Sequence, residues 1–377
     1  MDKLSEDGFV VIPKVYTLEE CQLLTTSVVS EVIDITLRER GASNLFDDDN
    51  QNLQFLTDPD LRKLKLKNPN IIWRNGSSRT PIISKNCGII DIHYNLDVLE
   101  LVTLDERMYR LLSAFYGKSN LCHLEGPERI SVKPKGSTNM PQHIDSNLFH
   151  PEVNFKERIQ SLVCISIDPQ AERNPKNCGT LCVLKNFHWY FALASKLFHP
   201  KTGLKPFPKD ILGRYFLLPE DFDKTYLPVL KEHINGYTNY LHNREIAKVS
   251  NTFYEDLQKS GIVVPEKVKS IEWTPVVCKP GDVICWNQRL PHYNLRNKLE
   301  VPRIVCYYSV FPVSSGDKDK LDKCKKMFQN NAFYEQGTTI KNLEEFEYIH
   351  KWKFNSKIQE ILNKSSLSRK LCGYEPW

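Results

Sequence analysis

The tripeptide His143-Ile144-Asp145 is answered far along the chain by His292 and then Arg303. Side chains alternate along an extended strand, so the first and third residues of His-x-Asp face the same way. They can chelate one metal ion without contorting the backbone. A third ligand must then come from a strand remote in sequence, and the run Lys279-Pro-Gly-Asp-Val-Ile-Cys-Trp-Asn-Gln-Arg-Leu-Pro-His292 offers it. Here a turn at Pro280-Gly281 starts a strand and the histidine follows. A chain using this set must fold so that its distant strands close on one another. Two neutral imidazoles and one carboxylate fill one face of an octahedral Fe(II) and leave the opposite face to exchangeable ligands. Arg303 opens the apolar stretch Arg303-Ile-Val-Cys-Tyr-Tyr-Ser-Val-Phe311. A buried arginine needs a partner, because an unpaired buried charge is costly. A dicarboxylate gripped bidentately by the guanidinium suits it.

The hydrophobic pattern places these residues on strands. Gly8 to Pro13 reads as a short apolar strand. Thr17-Leu-Glu-Glu20 reads as a capping box, and Cys21, Leu24, Val28, Val32 and Ile35 then recur at helical spacing. Thr103-Leu-Asp-Glu106 reads as a second capping box, ahead of a helix with Met108, Leu111, Leu112 and Phe115 on its apolar face and Gly117 at its end. Strands are expected at Arg129–Lys133, Ser161–Ile167, Thr180–Leu184 and Ile271–Val277. Between them, residues of about 189–270 form an insertion with helical stretches at 219–234 and 243–260. Asp47–Asn50 and Trp73–Pro81 read as loops. The tail beyond Ser314 is polar and mostly helical in pattern. Within it the Lys318–Lys326 cluster alternates with acids and reads as a solvated helix face. Strands interrupted by a large insertion, with metal ligands on both sides of it, suit a double-stranded β-helix, or jelly-roll barrel, of the kind that closes around a ligand cavity.

Composition narrows the function class. A formal net charge of +5 is too small to argue for nucleic acid by itself. No apolar run is long enough to span a membrane, and no signal region is seen, so the expectation is an intracellular, cytoplasmic protein. The 11 cysteines contain no C-x-x-C and read as reduced thiols. Cys164, Cys182, Cys285 and Cys306 sit in apolar runs and are expected in the core.

On these residues the chain resembles the phytanoyl-CoA dioxygenase-like family of Fe(II)/2-oxoglutarate-dependent dioxygenases. Asp7-Gly-Phe-Val-Val-Ile-Pro13 is similar to the family's opening strand. Asn177-Cys-Gly-Thr-Leu-Cys-Val-Leu-Lys-Asn-Phe-His188 is similar to its glycine-rich segment, and Pro280-Gly-Asp282 through His292 and Arg303 to its distal segment. The resemblance covers roughly residues 5–35, 120–190 and 270–313. Lys185-Asn186-Phe187 stands where the family has Pro-Gly-Ser, and a tryptophan common after the His-x-Asp is replaced near Ser166.

The resemblance implies a mainly β fold with α elaborations: a jelly-roll, cupin-like barrel flanked by N-terminal helices. Residues 1–313 would form the dioxygenase domain, with barrel strands at about 119–188 and 271–313. Residues 314–377 would form a helical extension packed on it. It further implies Fe(II) held by His143, Asp145 and His292, and 2-oxoglutarate paired with Arg303. Dioxygen is the co-substrate, ascorbate supports turnover, and a small molecule is hydroxylated. Asp145 fills the position a halide would need, which argues against halogenation. Lys133 matches a lysine of the corresponding family strand. Asn147, two residues past Asp145, is a further candidate for the same cavity. Arg74 and Arg79 are candidates for an anionic substrate. Arg296 is a rival to Arg303 but lies in a polar loop. His123, His150 and His188 are taken as structural or supporting. The competing readings are the same chemistry on a protein or nucleic-acid substrate, a degenerate barrel acting as a binding protein, and a structural zinc site. An intact triad argues against degeneracy, and structural zinc is generally closed by four protein ligands.

Overall fold

Six strands make one antiparallel sheet: Phe9–Ile12 (β1), Ile90–Ile92 (β2), Ile130–Lys133 (β4), Ile159–Ser166 (β6), Val283–Asn287 (β10) and Arg303–Tyr308 (β12). Their order is β1-β10-β6-β12-β4-β2. Five more make a second: His143–Ile144 (β5), Leu181–Lys185 (β7), Phe216–Leu217 (β8), Glu272–Val276 (β9) and His292–Asn294 (β11), in the order β8-β5-β11-β7-β9. Leu121–Cys122 (β3) pairs with Phe311–Pro312 (β13), and Ala332–Glu335 (β14) with Thr339–Asn342 (β15). This computed structural model describes residues 2–38, 90–92, 95–123, 129–149, 159–208, 216–242, 251–265, 267–314, 316–329, 332–335, 339–342 and 354–377. The expected loops at 47–50 and 73–81, with Arg74, Arg79 and His150, lie outside the described residues.

Strands β4, β6, β10 and β12 of the six-stranded sheet are buried on both faces, which is why they read as continuous apolar runs. Alternation sends Val163 and Ile165 of β6 to one side, and Leu162 and Cys164 to the other. Of the helices Asp2–Asp7 (α1), Leu18–Arg38 (α2), Leu96–Val98 (α3) and Glu106–Tyr116 (α4), α2 and α4 pack on the first side through Leu24, Val28, Val32, Met108 and Leu112. The second side faces a core shared with Leu181 and Val183 of the five-stranded sheet and with helices Phe191–Leu197 (α5) and Leu227–His242 (α6). Every described cysteine is buried, and none is in a disulfide. Among the described residues no helix is long and apolar enough to cross a membrane.

The first capping box forms as expected: the Thr17 amide donates to Glu20 (2.8 Å) and the Glu20 amide to the Thr17 hydroxyl (3.2 Å). The second does not. Asp105 caps α4 instead, accepting from the Arg107 amide at 2.7 Å. Thr103 ends a π-helical turn, Leu99–Thr103, so its backbone is already committed. The insertion is helical, with Asn251–Lys259 (α7) following α6, but it also supplies β8, which pairs with β5. The tail is helical at Lys318–Gln329 (α8), Phe354–Asn363 (α9) and Ser366–Leu371 (α10), and the β14–β15 hairpin interrupts it. Leu371 and Cys372 are wholly buried in the same core as Tyr16, Leu24 and Cys122. The His123 amide donates to the Leu371 carbonyl at 2.9 Å.

Candidate metal centre

Strand pairing brings the two histidines together. His292 of β11 stands directly opposite His143 of β5, and directly opposed residues share a face. Their ring centroids lie 4.3 Å apart. Asp145 lies just past the end of β5, so the period of two expected to carry both His143 and Asp145 breaks at Ile144. The carboxylate still reaches the pair. Asp145 Oδ1 is 3.9 Å from His143 Nε2, and Oδ2 is 3.4 Å from His292 Nε2. One ligand atom from each of the three residues lies within 4.8 Å of the others, close enough to share one ion.

The local backbone sets the tautomers. His143 Nδ1 lies 2.9 Å from the Pro141 carbonyl, and His292 Nδ1 lies 3.0 Å from the Leu290 carbonyl. A carbonyl only accepts, so both Nδ1 atoms carry the proton and both Nε2 atoms present lone pairs toward Asp145. Burial pushes the His143 imidazole down to about 4, and His292 and Arg129 add to this while Asp145 opposes it. It is therefore a neutral nitrogen donor at neutral pH. Gln160 Nε2 donates to Asp145 Oδ2 and orients the carboxylate. Trp286 meets the His292 ring edge-on at 5.5 Å.

A pair of buried cations lies nearby. Lys133 and Arg303 are register partners on β4 and β12, and each is 1% exposed. Lys133 Nζ donates to the Thr138 carbonyl (2.7 Å) and the Asn294 carbonyl (3.2 Å). Arg303 Nη1 donates to Asn294 Oδ1 at 3.0 Å, but its buried Nε and Nη2 meet no protein acceptor. Asn294 is two residues beyond His292, on the same face of β11, roughly 7 Å along the strand. It therefore ties the arginine to the histidine pair. Gly179 lies against both cations at φ +75°, a left-handed backbone conformation that favours glycine. A buried guanidinium with two nitrogens that meet no protein acceptor is suited to an anion that supplies them.

His143, Asp145, His292, Arg303 and Lys133 are thus brought into one region. Asn147 is buried, but its Oδ1 accepts from the Phe149 amide at 2.9 Å, which closes a local turn. Arg296 Nε bonds Asn177 Oδ1 in the loop where it was expected. His188 donates from Nε2 to the Ser5 carbonyl (3.0 Å), and His123 Nε2 meets the Thr103 carbonyl (2.9 Å), so both hold the fold. Gln160, Trp286 and Asn294 are part of the centre and escaped the sequence reading. The period-two rule applied to His292 is the one signal that pointed to Asn294.

Comparison with known proteins finds no matching family model and no matching curated protein. Solved structures do match. A protein from Salmonella typhimurium LT2 described as a candidate oxidoreductase aligns at TM-score 0.55, with 12% identity, over 99% of this chain and 81% of its own. The GlcNAc-inducible gene 2 protein of Candida albicans, of the DUF1479 family, aligns at TM-score 0.52, with 13% identity, over 100% of this chain and 76% of its own. The chain shares the fold of these two proteins. EctD of S. alaskensis, solved with 2-oxoglutarate and 5-hydroxyectoine, aligns at TM-score 0.38, with 15% identity, over 83% of this chain and 74% of its own.

Proposed function

We propose that this chain is an Fe(II)/2-oxoglutarate-dependent dioxygenase that hydroxylates a small molecule. We read its two sheets as the halves of a jelly-roll barrel around the centre. One observation carries the reading. An open set of two imidazoles and a carboxylate lies beside a buried arginine whose two remaining donors have no protein partner. The first feature suits a facially bound Fe(II), and the second suits the distal carboxylate of a short dicarboxylic acid.

When bound, Fe(II) supplies the oxidative decarboxylation of 2-oxoglutarate with dioxygen, giving succinate and CO2, coupled to hydroxylation of a C–H bond. The protein's own part is positional. His143 and His292 hold their Nε2 lone pairs toward one point because their Nδ1 protons are engaged. Gln160 fixes the rotamer of Asp145. Arg303 sets the register of the co-substrate, and Lys133 adds positive charge beside it. The Asn294 side chain and carbonyl hold both cations in place. Trp286 closes the His292 side against water.

The test is succinate formation from 2-oxoglutarate with Fe(II), ascorbate and air, beside His143→Ala and Arg303→Ala. Slow succinate production that both variants abolish is the expected result. Wild-type protein that makes no succinate and does not bind 2-oxoglutarate with Mn(II) in place of iron would overturn the reading.

A further inference from the structure

Two buried polar atoms beside the metal ligands are left over by the reading above. Gln160 of β6 and Trp286 of β10 are register partners, 7% and 1% exposed. Gln160 Nε2 donates to Asp145 Oδ2, and the Trp286 ring packs on His292 at 5.5 Å. Each side chain therefore touches a different metal ligand. A carboxylate only accepts hydrogen bonds, so the Gln160 amide is fixed with Nε2 toward Asp145 and Oε1 turned away from it. Among the described residues no donor meets Gln160 Oε1, and no acceptor meets Trp286 Nε1.

Burying a polar atom without a partner is costly. Native proteins keep few such atoms, and each asks for a ligand or a functional role. Here the two are complementary, one a donor and the other an acceptor, yet they do not bond to each other. Directly opposed residues of an antiparallel ladder have Cβ atoms about 5 Å apart, so one small group can reach both side chains.

We propose that Trp286 Nε1 and Gln160 Oε1 together bind a neutral group of the substrate that both accepts and donates a hydrogen bond, a hydroxyl or a carboxamide. The inference rests on the function proposed above and names its substrate class: a molecule that brings such an uncharged polar group up to the metal ligands. Complementarity sets the selectivity, because an indole N–H only donates and an amide oxygen only accepts. A carboxylate would take the indole proton but would set its own charge against Oε1 and Asp145. An amidinium would satisfy Oε1 and leave the indole unmet. A ketone would satisfy the indole and leave Oε1 unmet. A site built on hydrogen bonds rejects an analogue that leaves one of its buried groups unpaired.

The experiment loads the full chain, labelled with heavy nitrogen at its tryptophans, with Zn(II) in place of iron and saturating 2-oxoglutarate. The Trp286 indole signal in the NMR spectrum is identified by its absence from Trp286→Phe and by its broadening when Mn(II) replaces Zn(II). Butanamide, 2-pentanone, butyrate and butanamidinium, which share one shape and differ in donors, acceptors and charge, are titrated in turn, with butanol beside them. Butanamide or butanol should shift the indole signal to saturation, and the tighter of the two separates carboxamide from hydroxyl. The other three should bind at least about tenfold more weakly, the effect of one buried hydrogen bond left unmade. Trp286→Phe, followed through the probe's own signals, should lose the favoured probe to a similar degree. A ketone that binds as well as the amide and the alcohol, or a charged probe that binds best, overturns the proposal alone. So does the lack of any shift in a protein that binds 2-oxoglutarate, which would leave the two atoms to solvent. Failure to bind 2-oxoglutarate overturns the function on which the proposal rests, and the proposal with it.

Discussion

Replacing Arg303 by methionine should leave stability nearly unchanged and remove most of the co-substrate affinity. In the protein without ligand, Arg303 is a buried guanidinium opposite a buried ammonium, with one side-chain hydrogen bond and two donors without a protein partner. Methionine keeps much of the length, removes the desolvation cost and ends the repulsion with Lys133. Replacing buried ionic groups by apolar ones of similar volume is often stabilising by about 1–4 kcal/mol. Leaving Asn294 Oδ1 without its donor costs about 1–3 kcal/mol, so the two effects nearly offset, and the ligand-free protein should fall between about 2 kcal/mol less and about 3 kcal/mol more stable. For 2-oxoglutarate there is no such offset. Two charge-assisted hydrogen bonds at about 1.5–3 kcal/mol each are lost, which corresponds to a loss of affinity of about 10²- to 10⁴-fold. Urea unfolding of the ligand-free proteins reads the first effect, and calorimetric titration of 2-oxoglutarate into the Mn(II) forms reads the second. A methionine variant that is much less stable and still binds 2-oxoglutarate like wild type would mean that Arg303 serves the fold, and the argument would fail.

Three further outcomes follow from the same geometry. His143 has its imidazole pushed from 6.5 down to about 4. The unfolded chain therefore binds a proton between those values that the native state does not, and stability falls as pH drops through that window, by about 3 kcal/mol in total. Urea midpoints measured from pH 7 to pH 4 should show this fall, and His143→Gln should flatten it. Gln160→Leu leaves Asp145 unoriented and should weaken Mn(II) binding by about 10- to 100-fold with little change in secondary structure, read by metal titration and circular dichroism. At Gly281, with φ +90°, a Cβ would lie 2.2 Å from the Tyr16 carbonyl oxygen. Gly281→Ala should therefore cost roughly 2–4 kcal/mol, visible as a lower urea midpoint, and an unchanged midpoint would show that the turn is not strained.

The centre was legible in sequence where a short motif fixes direction by itself. His143, Asp145, His292 and Arg303 announce themselves through chemistry and chain order, and the strand pairing puts His292 beside His143. Asn147 shows where the rule stops. The alternation used to place it requires a strand, and β5 ends at Ile144, so its side chain turns back onto Phe149. Gln160 and Trp286 were invisible for another reason. Each lies on a continuous apolar run buried on both faces, and only the β6–β10 register shows that they stand together over the ligands. Strand β8 is two residues long, too short for any period to register, yet it supplies the neighbour of His143. The second capping box failed by local competition, since Asp105 is closer to the free amides of α4 than Thr103 is.

The position of Leu371 and Cys372 bears on how the protein is made. They share a core with Tyr16, Leu24 and Cys122, so that core cannot close while residues near 371 are still inside the ribosome. Helix α2 must wait, its apolar stripe exposed, until the residues near 371 have emerged. A core that joins segments so far apart in sequence is slow to close and open to aggregation in the interval. Holding chaperones should therefore decide its yield more than codon-level pauses at any internal boundary.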